Sequence, residues 1–131
     1  TSHPLAERNL LHWTDLRRER FLVTAADPGP ETRDMLLGRL SVSGMQPDIR
    51  IHQTSRESIL SVLGGGLGLT VICEGGTGAH YPDVVYRPVY GEQGPAPIEY
   101  SGYWRKGNGN PALRRFLAFV RDRYSLAFDI P

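Results

Sequence analysis

The feature that most constrains the fold is an alternation of strand-like and helix-like segments between residues 21 and 73. It begins with residues 21–25, a continuous apolar run that has the length of a strand and the composition of one covered on both faces. Proline and glutamate at positions 30 and 31 then favour a helix start, and apolar residues recur at helical spacing up to Leu40. This part of the chain therefore predicts a strand followed by a helix.

The same pattern repeats directly afterwards. Ile49 and Ile51 alternate with polar residues in a segment that begins at Pro47, as in a half-buried strand. Residues 54–57, Thr-Ser-Arg-Glu, match a capping box that starts a second helix, and residues 67–73 form a third predicted strand. Since strands and helices alternate, we expect right-handed crossovers and a parallel sheet with helices on both faces, an α/β fold.

The remaining segments are shorter and less regular. Residues 10–20 are interpreted as a lead-in loop or a single turn, and residues 74–82 as a glycine-rich loop. Further predictions are a short strand at residues 84–86, a linker at 91–97 and a strand at 98–104.

The last helix carries the strongest helical pattern of the chain. Asn110 is a good N-cap residue and Pro111 a good first helical residue. One face collects the apolar side chains of Leu113, Phe116, Leu117, Val120 and Tyr124. With Trp104 this face would form a larger apolar patch than soluble monomers usually expose. We therefore expect the segment to dock on the rest of this chain, to pair with another copy or to be disordered.

Charge and composition exclude several classes of protein. The 15 Lys and Arg balance 14 Asp and Glu, leaving a net charge of +1, so bulk charge does not drive binding to nucleic acid or membranes. The single cysteine, Cys73, excludes an internal disulfide, and no uncharged stretch is long enough to span a bilayer. The chain begins without methionine, and we expect it to be a piece of a longer chain.

The residues that most often carry chemistry form no catalytic or metal-binding motif. The four histidines are far apart in sequence and lack the spacing of metal ligands. Cys73 ends an apolar strand, where a cysteine is usually a small core residue. Residues 64–68 contain four glycines, but they follow a helix, whereas a phosphate-binding loop precedes one. We therefore expect no enzyme activity, no metal and no cofactor.

Polar residues do collect at the carboxyl ends of the predicted strands, where ligands bind in parallel α/β sheets. Thr54 and Ser55 lie where the second strand meets a helix N-terminus, so their hydroxyls and the free amides suit a carboxylate or another small polar ligand. Thr24 and Glu74 follow the first and third strands at the same edge. A role for Thr54 purely as a helix cap explains its position equally well.

The order of these segments resembles the effector-binding domain of LysR-type bacterial transcription regulators. The resemblance extends over residues 3–124. The matching pieces are His3-Pro4-Leu5-Ala6, Asp15-Leu16 with Phe21-Leu22-Val23, Gly44 with Pro47, Ser58-Ile59 through Gly66-Leu67-Gly68-Leu69, Val85-Tyr86-Arg87-Pro88-Val89, and Asn110-Pro111 with Phe116-Leu117.

The resemblance implies a periplasmic-binding-protein-like (type 2) fold of two α/β lobes with a small-molecule effector between them. Residues 1–96 would be the second lobe, residues 97–124 a strand and helix returning to the first lobe, and residues 125–131 a tail. The resemblance also implies a cytoplasmic protein that associates with copies of itself and does not contact a membrane. DNA would be bound only through a helix-turn-helix that precedes this part of the chain.

The resemblance also implies effector-binding residues. A Thr or Ser contacts the effector at the position of Thr54, with Ser55 beside it, and Thr24 and Ala25 match the strand end that faces the cleft. Glu74 stands where the family commonly has an apolar residue, and it completes the expected set.

Two other interpretations remain open at this point. A solute-binding lobe of a periplasmic transport protein shares the same fold, and only the LysR-like residues favour the regulator. A small α/β enzyme with its site at the same strand ends is the second alternative, against which stands the lack of a recognisable nucleophile and base.

Overall fold

The computed structural model describes residues 3–26, 28–95 and 101–128. The chain divides into two compact units, Thr1–Ile98 and Glu99–Pro131. The strands are β1 (Leu11–His12), β2 (Arg20–Thr24), β3 (Asp48–His52), β4 (Val89–Gly91) and β5 (Gly94–Pro95). The α-helices are α1 (Gly29–Leu40), α2 (Arg56–Leu63) and α3 (Pro111–Tyr124), and short 3-10 turns lie at Pro4–Glu7, Trp13–Leu16 and Glu74–Gly76.

Strand β2 is paired along both of its edges. On one side β3 runs parallel to it, with Arg20 opposite Asp48 and Thr24 opposite His52. On the other side Leu69 forms a parallel bridge to Phe21. The backbone amide of Leu22 donates to the Leu69 carbonyl and that of Leu69 to the Arg20 carbonyl, both at 2.8 Å. The spatial order is therefore β3, β2 and then the segment at Leu69.

The core of the first unit is built on β2. Phe21 and Val23, on one face of the strand, belong to a buried cluster with Leu36 and Leu40 of α1. Leu22 is also buried, and alternation along the strand directs it to the other face. The chain crosses from β2 to its neighbour β3 through α1, and then returns from β3 past β2 to the Leu69 segment through α2. Since the two crossovers run in opposite directions across the sheet, right-handed connections place α1 and α2 on opposite faces.

A second small sheet joins the N-terminal segment to residues 89–95. Strand β1 pairs parallel with β4, and β4 pairs antiparallel with β5 through a tight hairpin. Trp13 and Leu16, in the 3-10 turn after β1, are buried and extend the core cluster. The single turn predicted for residues 10–20 is thus confirmed, while the two-residue strand β1 was not predicted.

The three predicted helices are confirmed. The side-chain oxygen of Asn110 accepts a hydrogen bond from the amide of Ala112 at 2.9 Å and caps α3 as expected. Gly66 has φ +78°, a left-handed conformation that suits glycine, in the turn that follows α2. The alternating strand predicted around Ile49 is β3, although Ile51 is 55% exposed.

The prediction of a third full strand at residues 67–73 is wrong. Only Leu69 pairs with β2 in the described residues. The Leu22 carbonyl, which a longer parallel ladder would use next, accepts the hydroxyl of Thr70 at 2.7 Å. Because a side chain satisfies this acceptor, the backbone of residues 70–73 continues without strand pairing.

Three further predictions from local sequence are corrected. Residues 84–86 are not a strand, because the amide of Val84 closes a turn onto the Tyr81 carbonyl and strand pairing begins at Val89 instead. Residues 91–95 of the predicted linker form the β4–β5 hairpin, in which Gly94 has φ +107°. Residues 101–104 of the predicted last strand have no regular secondary structure, and residues 96–100 lie outside the described residues.

The apolar face expected for α3 differs in part from the face observed. Leu117 is buried at 4% exposure, and Leu113 and Val120 are half-buried. Phe116 and Phe119 are more than 60% exposed. The exposed aromatic surface of α3 therefore includes Phe119, which the predicted face did not.

Charged groups reinforce the pairing of β2 with β3. Asp48 receives the Arg20 guanidinium at 2.8 Å and that of Arg50 at 2.7 Å. The hydrogen bond from Arg20 is the main cause that lowers the pKa of Asp48 from its ordinary value. A depressed pKa means that this stabilising contact is present at neutral pH and is lost as the pH falls through the folded-state pKa, below about 4.

Two glycines of α1 provide a matched test of this packing. A Cβ built on Gly29 would lie 1.8 Å from the Thr24 carbonyl oxygen, whereas a Cβ on Gly38 meets nothing within 4 Å. We expect Gly29→Ala to lower the free energy of unfolding by about 1–3 kcal/mol through overpacking. Gly38→Ala should raise it by about 0.5–1 kcal/mol, because alanine favours a helix interior. Urea unfolding measures both, and equal effects of the two variants would contradict this packing.

Candidate functional site

The carboxyl ends of β2 and β3 lie side by side and define the candidate site. Thr24, the last residue of β2, is opposite His52, the last residue of β3. Just beyond them the amide of Ala25 donates to the His52 carbonyl at 2.9 Å, which extends the pairing by one residue. Thr24 and Ala25 are half-buried, while His52 is exposed. Because the strands are parallel, the residues that follow both of them emerge at one edge.

The loop after β2 is held tightly against this edge. The Thr24 hydroxyl donates to the Ala26 carbonyl at 2.5 Å. Gly29, the first residue of α1, is buried and so close to Thr24 that a side chain does not fit there. The Thr24 hydroxyl is therefore fixed in position at the rim of the edge, with its hydrogen already donated and its oxygen able to accept a hydrogen bond.

The start of α2 corrects the predicted capping box by one residue. Ser55, and not Thr54, is the N-cap: its hydroxyl oxygen accepts the amide of Ser58 at 3.2 Å. Thr54 precedes the cap and is exposed. Of the two interpretations of Thr54, as a helix cap or as a ligand-binding residue, the first is wrong, because Ser55 caps the helix. The second stays a prediction.

An acidic side chain already occupies part of the positive end of α2. The pKa of Glu57 is lowered mainly by a hydrogen bond from its own backbone amide and then by one from Ser55. The backbone amide is one of the free groups of a helix start, which stabilise negative charge, and the Ser55 side chain adds a second donor. The site can thus bind a ligand oxygen, but Glu57 places a negative charge beside it.

Glu74 lies on the other side of β2 and is less closely tied to the edge. It begins the 3-10 turn Glu74–Gly76 and is exposed. Its carbonyl accepts the Thr77 hydroxyl at 2.7 Å, which fixes the turn but not the carboxylate. Within the described residues no hydrogen bond links Glu74 to Thr24, Ala25, Thr54 or Ser55.

The predicted site residues therefore fall into two groups. Paired strand ends bring Thr24 and Ala25 together with the segment that leads to Thr54 and Ser55, whereas Glu74 stands apart. His52 was not predicted as a site residue, because its alternation with Ile51 indicated only the exposed face of a strand. The register of β3 opposite Thr24 places its exposed imidazole at the same edge.

Metal-ion clusters and membrane-spanning helices are both missing from the described ranges. Residues 3–26, 28–95 and 101–128 contain no group of three or more His, Cys, Asp or Glu side chains placed to hold a metal ion. Among these same residues no helix is both long and apolar enough to cross a membrane.

The first unit thus contains parallel strands covered by helices, with hydroxyls and helix amides at one carboxyl edge, which is the edge where ligands bind in parallel α/β structures generally. The family is given by sequence comparison: residues 1–125 match the LysR substrate binding domain. The chain belongs to this family, and the resemblance drawn from its residues is confirmed. The family implies a periplasmic-binding-protein-like α/β fold, with which the mixed α/β architecture is consistent.

Two similar proteins are transcription regulators. The chain is 24% identical over 115 residues to the HTH-type transcriptional regulator AlsR of Bacillus subtilis (strain 168), covering 88% of this chain and 37% of that protein. It is 28% identical over 121 residues to the Hca operon transcriptional activator HcaR of Escherichia coli (strain K12), covering 92% of this chain and 40% of that protein. The chain thus spans less than half the length of these relatives. No solved structure matches it significantly.

Neighbouring hydroxyls at the start of α2 are expected to differ in their effect on stability. Ser55→Ala removes the N-cap and should lower the free energy of unfolding by about 0.5–2 kcal/mol. Thr54→Ala removes an exposed hydroxyl that does not cap the helix, and its effect should stay within about 0.5 kcal/mol. Urea unfolding of both variants checks this, and a larger loss from Thr54→Ala would return the cap to Thr54.

Proposed function

We propose that this chain is the ligand-sensing part of a bacterial LysR-type transcription regulator, which binds a small-molecule effector at the carboxyl edge of β2 and β3. The family match over residues 1–125 is the observation that carries the proposal. The names of both relatives describe regulators of transcription, which supports a regulatory role over transport or catalysis. A regulator of transcription acts where the DNA is, in the cytoplasm.

The effector site is proposed to comprise Thr24, Ala25, Thr54, Ser55 and Glu74. The bond between Ala25 and His52 brings the first two residues beside the segment carrying Thr54. Since Ser55 caps α2, the exposed Thr54 hydroxyl is the better donor for a ligand, and Ser55 acts mainly by holding the helix start in place. Since Glu57 lies at the start of α2 and Glu74 belongs to the proposed set, the site suits a polar ligand with both donors and acceptors.

The rest of the regulator is proposed to lie outside this chain. Both relatives are more than twice as long as the matched region, which leaves room for a first lobe and a DNA-binding helix-turn-helix. Residues 97–124 would return to the first lobe, where the exposed Phe116 and Phe119 of α3 would find an apolar partner.

Effector binding would act by shifting populations. An effector that contacts both lobes binds one interlobe angle more tightly than the other, and this difference in affinity shifts the equilibrium between them. In a self-associated regulator the angle sets the arrangement of subunits on DNA. The chain would take part in sensing and in self-association, while the DNA contacts belong to the helix-turn-helix.

The proposal is tested in cells that carry the intact gene, by RNA sequencing and by DNA occupancy of the protein across a set of single carbon sources. Deletion of the gene should change a defined set of transcripts. Thr54→Val should retain DNA occupancy but lose at least 80% of the change that the responding carbon source produces. The matched control is Thr14→Val, which alters an exposed threonine in the 3-10 turn Trp13–Leu16 and should behave as wild type.

The possible results of this experiment test the regulatory role and the location of the effector site independently. A protein that occupies no DNA, and whose deletion changes no transcript on any carbon source, would contradict the regulatory role. A wild-type response from Thr54→Val on every carbon source would leave that role standing and would contradict the assignment of the site.

A further inference from the structure

The turn that leads into α3 contains the one asparagine of this sequence that is followed by glycine, Asn108. Its backbone amide donates to the Arg105 carbonyl at 3.1 Å and closes the turn, in which Gly107 has φ +75°. Asn108 is half-buried, and the glycines on both sides of it are exposed. The turn belongs to the second unit, whereas all residues proposed to bind the effector belong to the first.

The side-chain carbonyl of Asn108 is held by a hydrogen bond. Its Oδ1 accepts the backbone amide of Asn110 at 3.1 Å. A donor at this distance polarises the carbonyl and stabilises the negative charge that the oxygen acquires when a nucleophile attacks Cγ. The Cγ atom of Asn108 is therefore a fixed and activated electrophile.

The backbone nitrogen of Gly109 is the nucleophile next to it in the chain. Within the part of the chain that the structure describes, the Gly109 N–H donates no hydrogen bond. A Cβ built on Gly109 meets nothing within 4 Å, so there is room for this residue to rotate. Because glycine has no side chain, nothing on the residue itself hinders its nitrogen from reaching Cγ of Asn108.

We propose that Asn108 is a site of spontaneous covalent modification, where asparagine is converted to aspartate and isoaspartate. The Gly109 nitrogen forms a bond to Cγ of Asn108, and the side-chain nitrogen leaves as ammonia, which carries the proton that the Gly109 nitrogen loses. The product is a succinimide ring. Water then opens it, at the Cγ carbonyl to give aspartate or at the backbone carbonyl to give isoaspartate.

The other two asparagines of the chain are internal controls for this reaction. Asn110 is followed by Pro111, and a proline nitrogen has no proton to lose, so no succinimide forms there. Asn9 is followed by Leu10, whose side chain hinders attack by its own backbone nitrogen. The reaction should therefore be confined to Asn108.

The products change the entry to α3. Both carry a carboxylate two residues before the N-cap Asn110, where a helix N-terminus favours negative charge. Each also lowers the formal net charge, which is +1, by one unit. In isoaspartate the main chain runs through the former side chain and gains a methylene group, so the hydrogen bond from the Asn110 amide loses its geometry. This chemistry requires neither an effector nor DNA.

The experiment follows the purified chain by mass spectrometry during incubation at pH 8 and at pH 6, with an unincubated sample as reference. Trypsin releases residues 107–114 as one peptide, which contains both Asn108 and Asn110. The mass gain from amide to carboxylate should appear at residue 108 alone. Conversion should be at least ten times faster at pH 8, because the Gly109 nitrogen must lose its proton. Isoaspartate should accompany aspartate, since only the ring produces both.

Gly109→Ala is the matched variant. A Cβ fits at this position without contact, and the fold should be kept. The added methyl group hinders the attacking nitrogen, so conversion of Asn108 should slow at least fivefold. Gly38→Ala is the same change in α1, where a Cβ also meets nothing within 4 Å, and it should leave the rate as in wild type.

A synthetic peptide of residues 107–114 gives the rate of this sequence without the fold. If Asn108 stays an amide in the folded chain while the peptide converts, the proposal is overturned, because the turn then protects the side chain. Aspartate without isoaspartate would also overturn it, since direct hydrolysis gives aspartate alone. Equal conversion of Asn9 or Asn110, or an unchanged rate in Gly109→Ala, would contradict attack by the Gly109 nitrogen.

Discussion

Pairing of the β2 backbone on both edges is the constraint on which the rest of the first unit depends. A strand with buried Phe21, Leu22 and Val23 has its peptide groups removed from water, so each must find a partner. Strand β3 supplies the partners on one side, and Leu69 with the Thr70 hydroxyl supplies them on the other. The helices then cover the two faces that this pairing creates.

The same constraint produces the candidate site. A parallel β3 requires a crossover, and the crossover begins where Gly29 packs directly on Thr24. The next crossover begins where Ser55 caps α2. Each helix start is thus anchored near a strand end by a single small residue, and hydroxyls and amides collect at one edge.

Local patterns predicted the parts of the fold whose stabilising contacts lie close together in sequence. The helices were predicted correctly because apolar spacing and the proline and asparagine at their starts act within a turn or two. The strand at residues 67–73 was predicted wrongly, because its length depends on a contact between residues far apart in sequence. The Leu22 carbonyl accepts a hydrogen bond from the Thr70 hydroxyl and not from a backbone amide. The cap at Ser55 and the site position of His52 depend equally on register, which one sequence does not reveal.

An experimental structure of the intact gene product, with an effector found by its transcriptional response, would show directly whether this chain forms one lobe of a two-lobe sensor. We expect a second α/β lobe that packs on α3, with the effector between the lobes and in contact with Thr54 and the end of β2. An intact protein without a second lobe, or an effector bound far from the carboxyl ends of β2 and β3, would contradict it.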